Sequence, residues 1–367
     1  MLCSGGRFVV KFGGSSVRDH FDSAVSFTSR LWDGNDVIVV VSALKGVTDS
    51  LLDIAGGRGS VEEVERIHSE FAERNGIDPL VISPFVEELE GALTSRSSFP
   101  SGEAFRDYLL SLGEMLSGAL FTEALRRRGI PAVLFEPWKL LKTDGRFGKA
   151  RIDLSRSRRA VHPLEEALDE GFVPVVPGFV GGHDDFRTTL GRGGSDYTAS
   201  ALGNLTGARG VFIMSDVDGI YTADPRRVMA AKLIPFVSTQ EASLAAKLGM
   251  KALHPGAVEA AEGIPLYLGR TRDWHIGTVV GEESSGMPIV THRIEREEAL
   301  ISVVGVDSVR GFPFEGHEED GIPWVSIRVP RLRVGSALNA VHWEVVGSRL
   351  VLSSTLSVVR MGAWIST

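Results

Sequence analysis

Cysteine occurs once in the 367 residues, at Cys3. A single thiol excludes an intrachain disulfide and predicts a reducing compartment. Lysine is scarce too: Lys and Arg together number 39, and only eight of them are lysine. A lysine in a glycine-rich turn therefore stands out. Acidic residues outnumber basic ones, leaving a formal net charge of −8. That balance argues against broad nucleic-acid binding, which needs a basic surface. No apolar run approaches the roughly 18 residues of a membrane helix. No basic segment followed by an apolar one opens the sequence, so no signal peptide is predicted and a cytoplasmic location is expected. HExxH, CxxC and EF-hand patterns are missing, and no histidine has metal-ligand spacing, so no dedicated protein metal site is predicted. Neither GxxxxGK[ST] nor a strand-to-helix GxGxxG occurs, which argues against P-loop ATPases, protein kinases and dinucleotide oxidoreductases.

Glycine, by contrast, is abundant, with 42 residues where average usage of roughly 7% gives about 26. The glycines follow no G-X-Y period, which excludes collagen. They must serve turns, close packing or backbone contact with a ligand. With 43% hydrophobic and 23% charged residues, the chain has ample material for a core, and its length suggests two domains.

Phe8–Phe12 and Val37–Val41 read as buried strands. Between them Gly13-Gly14 makes a turn, and Ser16–Trp32 has helical spacing. Strand, glycine turn, helix, strand opens an α/β unit with a parallel sheet. Further helices are expected at Val61–Asn75, Pro79–Thr94, Glu103–Arg128, Leu154–Glu170, Ser195–Thr206 and Thr239–Leu248. Further strands are expected at Val133–Phe135, Phe172–Val176, Val211–Met214 and Pro265–Leu268. Gly181–Leu190 reads as a loop, and Glu282–Met287 as a linker. Beyond it come β-rich runs at Ala299–Gly305, Trp324–Val329, Trp343–Val346 and Val351–Leu356, with a loop-like Gly311–Gly321. The expected organisation is a large α/β domain over 1–283 and a small α+β domain over 287–367.

Several segments carry more special residues than folding needs. Lys11 stands near the end of a strand, where open α/β sheets bind ligands. Gly13, Gly14 and Ser15 follow it, letting backbone N–H groups and a helix N-terminus approach an anion. Gly191-Arg192-Gly193-Gly194-Ser195-Asp196 combines a pliable backbone with a guanidinium suited to carboxylate or phosphate. A helix cap alone would need one of these residues. Ser215–Arg226 gathers carboxylates, a hydroxyl, an aromatic and an arginine after a strand, a set able to hold a nucleotide. Lys251 lies in a loop after a helix, where most lysines are merely solvated. Glu114 lies within an apolar helix, so it either meets a cationic group or is satisfied by a cap or ion pair.

Taken in order, these segments resemble the aspartate kinases of the amino acid kinase family. The matching pieces are KFGGSSV at Lys11–Val17, VVSALKGVTDSLL at Val40–Leu52 and SLGEMLS at Ser111–Ser117. Then come TTLGRGGSDYTA at Thr188–Ala199, SDVDGIYTADPR at Ser215–Arg226, KALHP at Lys251–Pro255 and GTVV at Gly277–Val280. The resemblance implies a three-layer α/β/α sandwich with a mostly parallel sheet, plus a small C-terminal ACT-like α+β domain. It also implies ATP-dependent phosphorylation of the L-aspartate side-chain carboxylate to 4-phospho-L-aspartate, in amino-acid biosynthesis. By this resemblance Lys11 and Lys251 flank the transferring phosphoryl group and Asp196 orients them. Gly13, Gly14 and Ser15 contact phosphates. Arg192 clamps the substrate α-carboxylate and Glu114 meets its ammonium. Ser42 and Thr48 hold the reacting carboxylate. Ser215, Asp216, Tyr221 and Arg226 line the nucleotide site, with Mg²⁺ bridging phosphate oxygens. Two alternatives are another amino acid kinase, acting on glutamate, acetylglutamate or a nucleoside monophosphate, and a non-catalytic amino-acid-binding homologue. The Glu114 and Arg192 pair favours an α-amino acid over a nucleotide acceptor.

The sequence departs from the family pattern in three places. Ser215 stands where a threonine is usual, keeping the hydroxyl. A glycine usual near Phe186 is missing. Two ACT domains of ~70 residues each are usual, whereas Met287–Thr367 corresponds to one ACT-like domain or a remnant. Ala299–Gly305 resembles a first ACT strand, but the glycine turn and helix that should follow are hard to find. A dimer through this region is expected by analogy, and regulation by lysine or threonine is in doubt.

Overall fold

The β-branched runs form strands buried on both faces, as parallel sheets require. The computed structural model describes residues 5–347. Its strands, in chain order, are β1 (Arg7–Phe12), β2 (Asp36–Val41), β3 (Ala132–Leu134), β4 (Val173–Pro177), β5 (Val180–His183), β6 (Phe186–Thr189), β7 (Gly210–Ser215), β8 (Phe236–Ser238), β9 (Leu266–Arg270), β10 (His275–Gly281), β11 (Ile289–Glu295), β12 (Glu298–Val304), β13 (Glu315–Glu319) and β14 (Ile322–Pro330). The chain divides into two compact units. One comprises Gly5–Asp218 and Gly256–Ile276, and the other Gly219–Pro255 and the chain from Gly277.

In the first unit the parallel strands run β3-β4-β2-β1-β7-β9. The chain leaves β1 toward β2 and later returns on β1's other side as β7. Open α/β sheets bind ligands at such a reversal, which here lies at the carboxyl ends of β1 and β7. Side-chain alternation divides β1 between two layers. Phe8, Val10 and Phe12 join a core with Val37, Val39, Val41 and helix Gly102–Arg127. Phe12 stacks on Phe121, which meets Phe21 edge-on. Lys11 has the opposite parity and faces helix Gly194–Leu205. Helices thus cover both faces, giving the expected sandwich with its mostly parallel sheet.

In the second unit β8 pairs parallel with β10. β11-β12-β14-β13 form an antiparallel sheet. Helix Val334–His342 packs Leu338 and Val341 with Ile301, Val303 and Val325 of that sheet. The grouping of Gly219–Pro255 with the antiparallel sheet is not visible in local patterning, because contacts rather than composition create it.

Several elements differ from expectation. Ser16–Trp32 is two helices, Gly14–Asp19 and Phe21–Trp32, broken at His20, whose φ −135°, ψ 36° is not helical. Pro79–Ile82 is a 3₁₀ turn ahead of helix Ser83–Thr94. Leu154–Glu170 divides before Pro163, which cannot donate within a helix and opens His162–Asp169 instead. Gly181–Leu190 is not a loop but contains most of the hairpin β5–β6, turning at Asp184 with φ 51°. Gly311–Gly321 is only partly loop: β13 ends at an Asp320-Gly321 turn with both φ positive, a standard two-residue hairpin connection. Trp343–Val346 is not β: Trp343–Gly347 continues the preceding helix as a π-turn, burying Val345 and Val346. Short apolar runs fit either assignment until packing decides. After β12 the chain enters the β13–β14 hairpin rather than a helix. Val351–Leu356 lies outside the described residues.

One buried group predicts acid sensitivity. His68 is fully enclosed in helix Val61–Arg74 and donates from Nδ1 to the Val64 carbonyl at 2.6 Å. Burial lowers its pKa from 6.5 to about 4. The unfolded chain binds this proton more readily, so stability is complete above pH 6.5 and falls as pH drops toward 4. The loss amounts to about 3 kcal/mol by the 1.36 kcal/mol per pH unit conversion. Urea unfolding of His68→Leu across this range should lose that part of the slope.

Candidate active site

Lys11 occupies the central strand, between Val40 of β2 and Ile213 of β7. A buried ammonium needs a partner. Its Nζ lies 2.6 Å from Asp196 Oδ1, and each side chain is 11% exposed. Asp196 is in the first turn of helix Gly194–Leu205, where the helix dipole favours a carboxylate. This ion pair joins the end of the first strand to the GRGGSD turn.

After Lys11 the chain turns directly into helix Gly14–Asp19. Gly13 donates its N–H to the Met214 carbonyl at 3.2 Å, so that amide is already used. The first-turn amides of Gly14 and Ser15 have no intrahelical acceptor by helix geometry. The two glycines differ sterically. A Cβ on Gly14 would sit 2.5 Å from the Ala43 carbonyl oxygen, whereas one on Gly13 would meet nothing closer than 3.5 Å. Gly14→Ala is therefore expected to cost about 1–3 kcal/mol, as overpacked sites do. Gly13→Ala should stay within about 1 kcal/mol, as a strain-free glycine replacement does. Paired urea titrations check the contrast. Beneath this turn Thr271 Oγ1 donates to Ser16 Oγ at 2.7 Å, and Ser16 Oγ donates to the Met214 carbonyl at 3.4 Å.

The loop after β2 forms a second wall. Ser42 Oγ donates to Ser195 Oγ at 3.0 Å. Ser117 Oγ donates to the Ser42 carbonyl at 2.8 Å. Glu114 is buried, and its Oε2 accepts the Ala43 N–H at 2.7 Å. Burial pushes the Glu114 carboxyl up to about 8, opposed by the Ala43 hydrogen bond and the Lys11 charge. Thr48 is half-buried in helix Val47–Ala55. Arg192 is exposed, between Gly191 and Gly193 with φ 81° and 78°, a left-handed backbone that glycine adopts freely.

Ser215 ends β7, and its hydroxyl accepts the Val217 N–H at 3.2 Å, tightening the turn. Asp216 is exposed beside it. Within the same unit Asp218 pairs with Arg270 at 3.0 Å, a partner that the motifs did not single out. Lys251, Tyr221 and Arg226 belong to the second unit. Lys251 is exposed and lines a cleft with Gly249, Met250, His292, Arg293 and Ile294. Tyr221 is half-buried and bridges to Leu233, while Arg226 is exposed. Lys11, Asp196, Ser42, Glu114, Gly14 and Ser15 thus stand within one unit. Among the described residues no cluster of three or more His, Cys, Asp or Glu side chains could hold a metal ion. No helix among them is long and apolar enough to cross a membrane.

Sequence reading missed Ser16, Ser117, Ser195 and Thr271 as supporting hydroxyls. Ser16, Ser117 and Ser195 fall inside the singled-out segments, but serine in a turn or helix carries no signal until its acceptor is known.

Residues 6–269 match the amino acid kinase family. Among curated proteins, the chain is 36% identical to lysine-sensitive aspartokinase 3 of Escherichia coli over 320 residues, covering 83% of this chain and 71% of that one. It is 34% identical to an aspartokinase of Geobacillus stearothermophilus, covering 82% of this chain and 66% of the relative. Among solved structures, Escherichia coli aspartokinase III in complex with aspartate and ADP (R-state) superposes with a TM-score of 0.81 at 25% identity, over 92% of this chain and 99% of that one. The same enzyme with lysine and aspartate (T-state) gives 0.72 over the same shares.

Proposed function

The chain belongs to the amino acid kinase family, and from that premise we propose that it transfers the γ-phosphoryl group of ATP to the side-chain carboxylate of L-aspartate, making 4-phospho-L-aspartate and ADP. The observation that carries this reading is the buried Lys11–Asp196 pair at the carboxyl end of the central strand, in the same unit as buried Glu114. A carboxylate oxygen of the acceptor forms a bond to γ-phosphorus while the bond to the β–γ bridging oxygen breaks. The aspartate side chain is already ionised at neutral pH, with a usual pKa of about 3.9. No general base is required of the protein, whose task is positioning and charge neutralisation.

Lys11 supplies the charge that neutralises the equatorial oxygens, and Asp196 holds its ammonium at the strand end. The amides of Gly14 and Ser15 receive phosphate oxygens, and Gly13 shapes the turn. Ser42, held by Ser117 and Ser195, stands with Thr48 for the reacting carboxylate. Arg192 takes the α-carboxylate and Glu114 the ammonium. Ser215 and Asp216 serve the nucleotide. The assignments of Tyr221, Arg226 and Lys251 to nucleotide and phosphates rest on motif resemblance. Mg²⁺ supplies charge neutralisation on the ATP phosphates. A bound Mg²⁺ would be held mainly by phosphate oxygens, and the exposed Asp216 carboxylate after β7 is of the oxygen-donor type that it prefers.

The proposal extends to a catalytic region over 1–283, an ACT-like region over 287–367, a homodimer and a cytoplasmic location. The four-stranded sheet carrying helix Val334–His342 supports an α+β assignment for the second region. Light scattering tests the dimer. The deciding experiment mixes purified chain, ATP, Mg²⁺ and L-aspartate with hydroxylamine. Aspartyl hydroxamate is the expected product. No hydroxamate would falsify the reading, and preference for glutamate or acetylglutamate would reassign the acceptor.

A further inference from the structure

We infer that Asp107 is a positioning residue for the Arg192 loop, fastening both segments that flank it. The inference rests on the proposed role of Arg192 as a carboxylate clamp. Asp107 lies on helix Gly102–Arg127 and is fully buried. Its Oδ2 accepts the backbone N–H of Gly148 at 2.7 Å and of Thr189 at 2.8 Å, while Oδ1 accepts the Thr189 hydroxyl at 2.9 Å. Thr189 ends β6, two residues before Gly191. Gly148 approaches the loop from elsewhere: a Cβ built on Gly191 would lie 3.3 Å from the Gly148 carbonyl oxygen. Ala150 completes the clasp, donating to the Thr189 carbonyl at 2.9 Å. One carboxylate therefore ties the strand entering the loop to the turn packed beside it.

Helix geometry links this clasp to the other side of the site. Asp107 and Glu114 are seven residues apart, close to two turns, so they share a face about 10.5 Å apart along the axis. Glu114 accepts the Ala43 N–H, and Ser117 holds the Ser42 carbonyl. One rigid helix thus sets the separation of the Arg192 loop from the Ser42 loop. Arg106, at 3.9 Å, adds little to the clasp.

Kinetics on the full chain test this. Asp107→Ala leaves the buried Thr189 N–H and the half-buried Gly148 N–H without their acceptor, so KM for L-aspartate should rise about tenfold or more while KM for ATP stays within about threefold. Asp107→Asn should keep both constants near the parent, because its amide oxygen can take both N–H groups and its NH₂ can donate to the Thr189 hydroxyl. Equal rises in both constants, or an Asn variant as impaired as the Ala variant, overturn the inference. If Asp107→Ala proves insoluble, Thr189→Val removes one donor and should raise KM for L-aspartate selectively; an unchanged KM counts against the inference. Hydrogen exchange separates this from the functional reading. Amides of 145–149 and 189–194 should exchange faster in Asp107→Ala than in the parent, and those of 13–17 should not. Unchanged exchange overturns the positioning role. Faster exchange in a chain that phosphorylates no aspartate overturns only the assigned reaction.

Discussion

Lys11→Ala should lower turnover with ATP and L-aspartate by about a thousandfold, the scale of losing one preorganised charge at a phosphoryl transition state. The same substitution strips the cation from a nearly buried carboxylate, Asp196, 2.6 Å away. Breaking such a pair from one side costs about 3–5 kcal/mol of stability. A drop in activity alone would therefore be ambiguous. Adding Asp196→Asn removes the stranded charge. The double variant should regain much of the thermal stability and none of the turnover. Single-turnover kinetics beside melting curves read both quantities. Near-normal turnover in folded Lys11→Ala would take this lysine out of the mechanism.

The second large effect concerns protonation. Burial holds the Glu114 carboxyl at about 8 in the free protein, so at neutral pH it is mostly neutral. An ammonium is held by the ionised form, so binding at pH 7 must expel a proton. KM for L-aspartate should fall as pH rises toward 8, by up to about tenfold per unit, and then level off. Glu114→Gln should flatten this dependence and raise KM about a hundredfold, as expected for losing a buried charged partner. The stability sign runs the other way. A carboxyl whose folded pKa exceeds its unfolded value stabilises less as pH rises from 4.5 to 8. Glu114→Gln should therefore melt higher than the parent at pH 8. Calorimetry in two buffers of different ionisation enthalpy counts the released proton. No proton release, with KM flat across this range, would remove Glu114 from ammonium binding.

How legible each element was depended on how local its cause is. β1 and β2 were plain because runs rich in Val, Ile and Phe fit a strand buried on both faces. The long helix Gly102–Arg127 was plain in extent. The β5–β6 hairpin was not, since its strands are four residues long and rich in Gly and Thr. Trp343–Val346 was misread because four apolar residues fit a strand or a helical turn equally well. Among site residues, Lys11, Glu114 and Asp196 were marked by chemical oddity, a charge set in apolar or glycine-rich surroundings. Asp107 was equally odd, lying in an apolar helix, yet no motif pointed to it.

The sequence by itself determined the parallel strands of the first unit and the family, because those depend on neighbours along the chain. Glycines at left-handed positions, a lysine ending a strand and a capped helix are each specified within a few residues. Only the tertiary structure decided who holds whom. Ser42 meets Ser195 across 153 positions, Ala43 meets Glu114 across 71, and Thr189 meets Asp107 across 82. Those pairings follow from the order of parallel strands and from one helix crossing beneath two loops. The same packing raised Glu114 to about 8 and spent the Gly13 amide on Met214. Desolvation and hydrogen-bond partners belong to the folded neighbourhood, and no local pattern contains them.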